Sequence, residues 1–149
     1  MRPDEITHRP SSPERNKALA RTEFGVWSTG ELGRLDELVA ADVVHHDPYD
    51  PRAAAGLAGL KRTIELNRRA FPDMQITIED QIAEGDKVVT RWRADMTHTG
   101  EFGDVAPTRR RVTMTGISVE RFEDGKVVDA WRSMDTLALL RGIGALSEA

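Results

Sequence analysis

Near its C-terminus the chain reads GKVVDAWRSMDTLALLRGIG, where a tryptophan, Trp131, and a carboxylate, Asp135, stand four residues apart. Side chains alternate across a strand. An extended segment over 126–135 therefore puts Val127, Asp129, Trp131, Ser133 and Asp135 on one face and Val128, Ala130, Arg132 and Met134 on the other. If the first face lines an apolar interior, an ionised Asp135 is costly to bury unless paired, which would tune it for giving and taking protons. A structural reading stands beside the chemical one: Asp135 caps a short helix beginning at Thr136. The residues alone leave both open.

Other groups could join it. In VVTRWRADMTH, alternation places Val88, Thr90, Trp92, Ala94, Met96 and His98 on one face, and Val89, Arg91, Arg93 and Asp95 on a more polar one. His98 would supply a hydrogen-bond donor on the Trp92 face, although an inward histidine also serves as an ordinary core residue. In DVVHHDPYDP, His45 and His46 are adjacent and point to opposite faces. They cannot hold one metal together, and with no third ligand at convincing spacing no metal site is expected. Trp92 and Trp131 would suit a flat polycyclic ligand if both face a cavity, and serve as core if they do not. Tyr49, the single tyrosine, and Phe102 could line the mouth or anchor loops. Arg109, Arg110 and Arg111 read as a solvated strand edge and receive no function.

The elements that must position these groups follow from pattern. A helix starts at SSPE, with Ser12 as N-cap and Pro13 in the first turn, and carries Ala20, Phe24 and Trp27 at helical spacing. A second short helix covers GELGRLDELVA, a short strand DVVHH ends at prolines, and a third helix aligns Leu57, Leu60, Ile64 and Phe71. After Pro72 the period changes to two: Ile76, Ile78, Asp80 and Ile82 share a face until the turn AEGDK. Three more long strands follow, the last two joined by the turn EDGK, and then the apolar helix TLALLRGIG. This order gives an α+β fold, a cone with helices packed on one face of a curved antiparallel or mixed sheet that encloses a pocket.

Composition narrows the function. One domain is expected over 1–149, with residues 1–12 a flexible polar leader without the apolar core of a secretory signal, which favours the cytoplasm. Net charge is −4, the wrong sign for coating nucleic acid, and no apolar run is long enough to span a membrane. The absence of cysteine removes disulfides, thiolate catalysis and Cys-ligated zinc.

The segments DVVHHDP, FPDMQITIEDQIAEGDKVVTRWRADMTHTGEF, APTRRRV, GISVERFEDGKVVDAWRSMD and LLRGIG resemble the SnoaL-like polyketide cyclases, within the nuclear transport factor 2-like superfamily of cone folds. The hairpin phrases are structural, whereas THTGEF, PT and the Trp-x-x-x-Asp ending are more telling. Two positions depart from the family's usual text: Arg109 replaces a glycine after PT, and LLRGIG replaces a glutamine-rich ending.

The resemblance implies intramolecular aldol ring closure of a polyketide methyl ester, as in antibiotic biosynthesis, with no cofactor. Asp135 matches the family's carboxylate acid and base. His98 and His46 would be the oxyanion donors, and Trp92, Trp131, Tyr49 and Phe102 would bind a hydrophobic polycyclic substrate. It further implies a homodimer or higher homo-oligomer paired on the outer sheet face. Alternatives on the same fold are an epoxide hydrolase, an isomerase, a member that assists hydroxylation, or a non-catalytic ligand-binding or dimerisation module.

Overall fold

The computed structural model describes residues 12–46 and 55–146. Helix α1 (Pro13–Thr29) opens as the cap pattern requires: Ser12 accepts a hydrogen bond from the Arg15 amide at 3.1 Å, and Pro13 loses nothing at a position whose N–H has no helical partner. It ends at Gly30, whose left-handed backbone (φ 76°) lets its N–H close onto the Val26 carbonyl. A 3-10 turn at Leu32–Arg34 runs into α2 (Leu35–Leu38) and then β1 (Val39–His46). Helix α3 (Gly56–Ala70) precedes β2 (Gln75–Glu84), β3 (Lys87–Thr97), β4 (Arg111–Glu123), β5 (Lys126–Met134) and α4 (Thr136–Gly142).

The strands form one mixed sheet in the order β1-β5-β4-β3-β2, with β1 parallel to β5 and the other pairs antiparallel. The sheet is not closed. Helices cover its concave face, which is the α+β cone expected from element order. Among the described residues no helix is long and apolar enough to cross a membrane.

The core falls into two apolar clusters. One joins Ala20, Leu35, Val43, Ile64, Val88, Phe122, Val127 and Ala130. The other gathers Phe24, Phe71, Met74, Trp92, Ala94, Met96, Val112 and Leu139. Buried polar residues Asn16, Glu23, Thr90, Ser118 and Glu120 belong to neither.

Two β-bulges correct the expected faces. Along β4 and β5 the register passes from Arg121 opposite Asp129 to Phe122 opposite Val127, so Val128 is the extra residue. One inserted residue turns every later side chain to the other face. Val127 points into the core as alternation requires, but beyond the bulge Ala130, Arg132 and Met134 face inward, while Trp131, Ser133 and Asp135 face outward. Along β2 and β3, Ile78 opposes Trp92 and Asp80 opposes Arg91, leaving Glu79 unmatched. Gln81 therefore turns inward, and Ile82, expected on the same face as Ile76 and Ile78, is 67% exposed.

Candidate active site

A cavity of about 250 Å³ lies between α1, α3, α4 and the concave sheet face. It is slightly smaller than the ~300 Å³ at which typical ligand pockets begin. Its wall is mostly apolar: Phe24, Trp27, Met74, Ile76, Trp92, Ala94, Met114, Met134 and Leu139, with Phe102 from the loop after β3. Methionine and aromatic side chains adapt to flat ligands of varied outline. Trp92 is held in place by its indole N–H, which donates to Ser118 Oγ at 3.1 Å, and by Gly116 beneath it, where a Cβ would come within 2.4 Å of the ring.

The polar part of the wall is concentrated. Glu23, Glu120 and Arg132 all line the cavity, with Ser118, Thr63, Asn67 and Thr136. Glu23 is 2% and Glu120 3% exposed. Their side chains are hydrogen-bonded to each other. Burial pushes Glu23 above the usual carboxylate range, opposed by the Arg132 charge, by the bond from Glu120 and by a bond from Trp27. Glu120 is pushed well above that range by burial first and then by the negative charge of Glu23, with Arg132 again opposing. Two carboxyls at hydrogen-bonding distance in a dry site cannot both ionise cheaply. Glu120 thus carries the shared proton and donates to Glu23. The Arg132 guanidinium lies 5.2 Å over the Trp27 ring, which orients it toward the pair.

Of the residues singled out from sequence, Trp92 and Phe102 line this cavity. His98 is fully buried on the Trp92 face but is not part of the cavity wall. Its Nδ1 accepts from the Thr108 amide at 3.2 Å and lies 3.0 Å from Thr108 Oγ1, while its ring packs on Phe71, 5.5 Å between centroids. It ties down the base of the 99–110 loop.

His46, Trp131 and Asp135 lie elsewhere, contrary to the expected inward orientation. The bulge at Val128 carries Trp131 to the outer face, where it is 36% exposed and stacks on His46 at 4.7 Å and 8° between planes. In β1, Val43 is the core residue, and His46, three positions on, faces out and bonds Asp129 at 3.1 Å. Asp135 is exposed at the N-terminus of α4 and accepts from the Ala138 amide at 3.0 Å. That is the capping geometry. Tyr49 lies outside the described residues. Among the described residues no cluster of three or more metal-ligating side chains occurs.

The carboxyl pair was the residue set that alternation and motif reading missed. Its signal was present: Glu23 falls between Ala20, Phe24 and Trp27 on the apolar stripe of the first helix. Glu120 continues the inward row Val112, Met114, Gly116, Ser118 of β4. A carboxylate at a core position on each of two elements is rare unless paired.

Comparison with known proteins agrees with the fold. Residues 17–143 match the family model of the SnoaL-like polyketide cyclases. Among solved structures, AclR of Streptomyces galilaeus, a proposed hydroxylase, is 31% identical with a TM-score of 0.82, over 93% of this chain and 86% of its own. IdmH of Streptomyces antibioticus, a proposed polyketide cyclase, is 32% identical with a TM-score of 0.76, over 87% and 98%. A proposed polyketide cyclase from Acidithiobacillus ferrooxidans is 28% identical with a TM-score of 0.78, over 89% and 96%. No curated protein matches the sequence.

Proposed function

The chain belongs to the SnoaL-like polyketide cyclase family, and on that premise we propose that it is an enzyme that closes a ring in an apolar polyketide-type molecule by proton transfer inside the cone. Glu23 and Glu120, rather than Asp135, are the acid and base. The observation that carries this reading is the buried carboxyl pair on the cavity wall beside Arg132, its two members pushed upward to different extents. Pairs whose environments drive their protonation apart are how one site holds a base and an acid at once.

The steps balance within the site. Ionised Glu23 takes a proton from a carbon flanked by two carbonyls, and the enolate carbon bonds to a carbonyl carbon of the same molecule. The alkoxide formed takes the Glu120 proton. The pair then holds its proton on Glu23, and their shared hydrogen bond returns it to Glu120. Arg132 offsets the charge that develops on the enolate oxygen, and the apolar wall holds the folded substrate near its reactive geometry. Positioned acid–base groups of this kind contribute about 10²–10⁴-fold.

Arg132 facing the same pair favours a second reading, hydration of a small epoxide. There the ionised carboxyl would activate water and the neutral one would protonate the departing oxygen.

The working form is a cytoplasmic homo-oligomer paired on the outer sheet face, where Val44, Ile117 and Trp131 leave apolar surface exposed.

The test is turnover of a panel of polyketide methyl esters and small epoxides by wild type, Glu120→Gln, Glu23→Gln and Asp135→Asn, each checked for folding by circular dichroism. Ring closure lost in folded Glu120→Gln and retained in Asp135→Asn supports the proposal. The reverse pattern returns the chemistry to Asp135. Turnover confined to epoxides selects the second reading.

A further inference from the structure

The floor of the cavity continues into a polar seam. Gln81, Thr90, Ser118 and Arg132 stand directly opposite one another across β2, β3, β4 and β5. They form one inward rung across four strands, between the two apolar clusters of the core. Glu120 lies on the next inward rung, between Val88 and Ala130. Helix α1 carries Asn16 and Glu23 on its buried side above the rungs. The Gln81 amide donates to Thr90 Oγ1 at 3.2 Å and to the Lys17 carbonyl at 3.4 Å, which brings the start of α1 onto the seam beside Asn16. The Glu23 bond to Glu120 fastens it again two turns later.

Four buried atoms in this seam have no hydrogen-bond partner among the described residues: Asn16 Nδ2 and Oδ1, Gln81 Oε1 and Glu120 Oε1. Buried amides and carboxyls are nearly always satisfied by protein or by internal water. The set holds one donor group and three acceptors on inward side chains of α1, β2 and β4. Water, which both donates and accepts, is the ligand whose chemistry suits such a mixed set, more than one molecule being needed to reach all three acceptors.

We propose that the seam is an internal water site in which water bonded to Asn16 and Gln81 contacts Glu120 and passes its proton toward the β2 edge of the sheet. This rests on the reading of Glu23 and Glu120 as the acid–base pair. The route has a direction because β2 is an edge strand and Gln81 is only half-buried, whereas Asn16 and Thr90 are fully covered. A substrate filling the cavity would close the other way out, so the pair could exchange its proton while the pocket is occupied. Asn16 is then a positioning residue that acts through water. The charged groups facing Glu120 are Glu23 and Arg132.

The water site is tested without turnover. A crystal structure of the wild-type protein at high resolution is expected to show ordered water within hydrogen-bonding distance of Glu120 Oε1 and the Asn16 amide. The titration of Glu120, followed by carboxyl carbon NMR, is expected to move to higher pH in Asn16→Leu, because the ionised form loses a hydrogen-bond donor. Gln81→Leu, at the less buried end, provides a second variant should Asn16→Leu fail to fold, with the same upward movement expected. An Asn16 amide bonded directly to Gln81 or Glu120 with no water between them overturns the proposal, as does a Glu120 titration unmoved by either substitution. Ordered water present in a protein whose Glu120→Gln variant keeps full turnover would leave the water site standing and remove the acid–base reading.

Discussion

Glu23 of α1 and Glu120 of β4 are hydrogen-bonded to each other on the cavity wall, with Arg132 as the nearby cation. That pairing makes the polar heart of the cone sensitive to pH. Both carboxyls titrate above the ordinary range in the folded protein because burial penalises the charged form, and Glu120 the more so because the Glu23 charge and the proton it donates to Glu23 also oppose its ionisation. A carboxyl whose native value exceeds its unfolded one contributes most stability below the unfolded value, here about 4.5, and that contribution is lost as pH rises through the native value. Glu120→Gln removes this titration. Its denaturation midpoint is expected to fall less between pH 5 and pH 8 than that of wild type, while turnover drops by about 10²-fold or more. Urea denaturation across that pH range, paired with activity assays, reads both.

Asp135 behaves differently. Its carboxylate accepts the Ala138 amide at the start of α4, so Asp135→Ala is expected to cost about 0.5–2 kcal/mol and Asp135→Asn, which retains an acceptor, much less. Thermal denaturation of the two variants measures the difference. Turnover should survive both; abolished activity in a stable Asp135→Asn protein would contradict the assignment.

Gly116 sets the position of Trp92. A Cβ there would lie 2.4 Å from the indole Cζ2 and 3.0 Å from the Ser133 carbonyl. Gly116→Ala therefore forces the indole out of its seat or spreads β4 from β5, at about 1–3 kcal/mol. Ligand affinity should fall with it. Displacement of a fluorescent apolar probe from the cavity, compared in wild type and variant, is the measurement, and unchanged affinity would mean that Trp92 does not shape the pocket.

Asp73 ties the turn after α3 to the end of β3, accepting from the Thr97 amide and hydroxyl at 2.7 Å each. These bonds, that of the hydroxyl foremost, hold its carboxyl below the usual range. The stability they confer is present above the unfolded value of 3.8 and is lost as pH falls through the native one. Asp73→Ala should be less stable than wild type at pH 7, with the gap closing at strongly acid pH. Solvent exposure of the site keeps the effect modest.

The stack of Trp131 on His46 lies on the outer face, beside exposed Ile117. If copies of the chain pair there, Trp131→Asp should convert the oligomer to a 16.6 kDa monomer without altering ligand binding in the cavity. Light scattering coupled to gel filtration decides it, and a monomeric wild type would rule out the pairing.

Element order was legible in the sequence because its signals are local. The Ser12 and Pro13 cap, the apolar spacing of α1 and α3, and the switch to alternation after Pro72 each depend on residues a few positions apart. The inward face of β3 was equally legible, since Trp92, Ala94 and Met96 stand in an unbroken eleven-residue alternation that β4 matches without a bulge. The family was legible through motifs that span most of the chain.

Which carboxylates face the cavity was decided by the tertiary structure. The text of β5 alternates as cleanly as that of β3, yet Val128 bulges against β4, and the phase of Trp131 and Asp135 inverts. A bulge is a property of two strands in register, so no period within one strand announces it. The pairing of Glu23 with Glu120 likewise depends on how α1 lies across the sheet. The sequence by itself determined the elements, their order and the family; docking of helix on sheet and two inserted residues determined which side chains meet, because facing is set by long-range pairing rather than by local alternation.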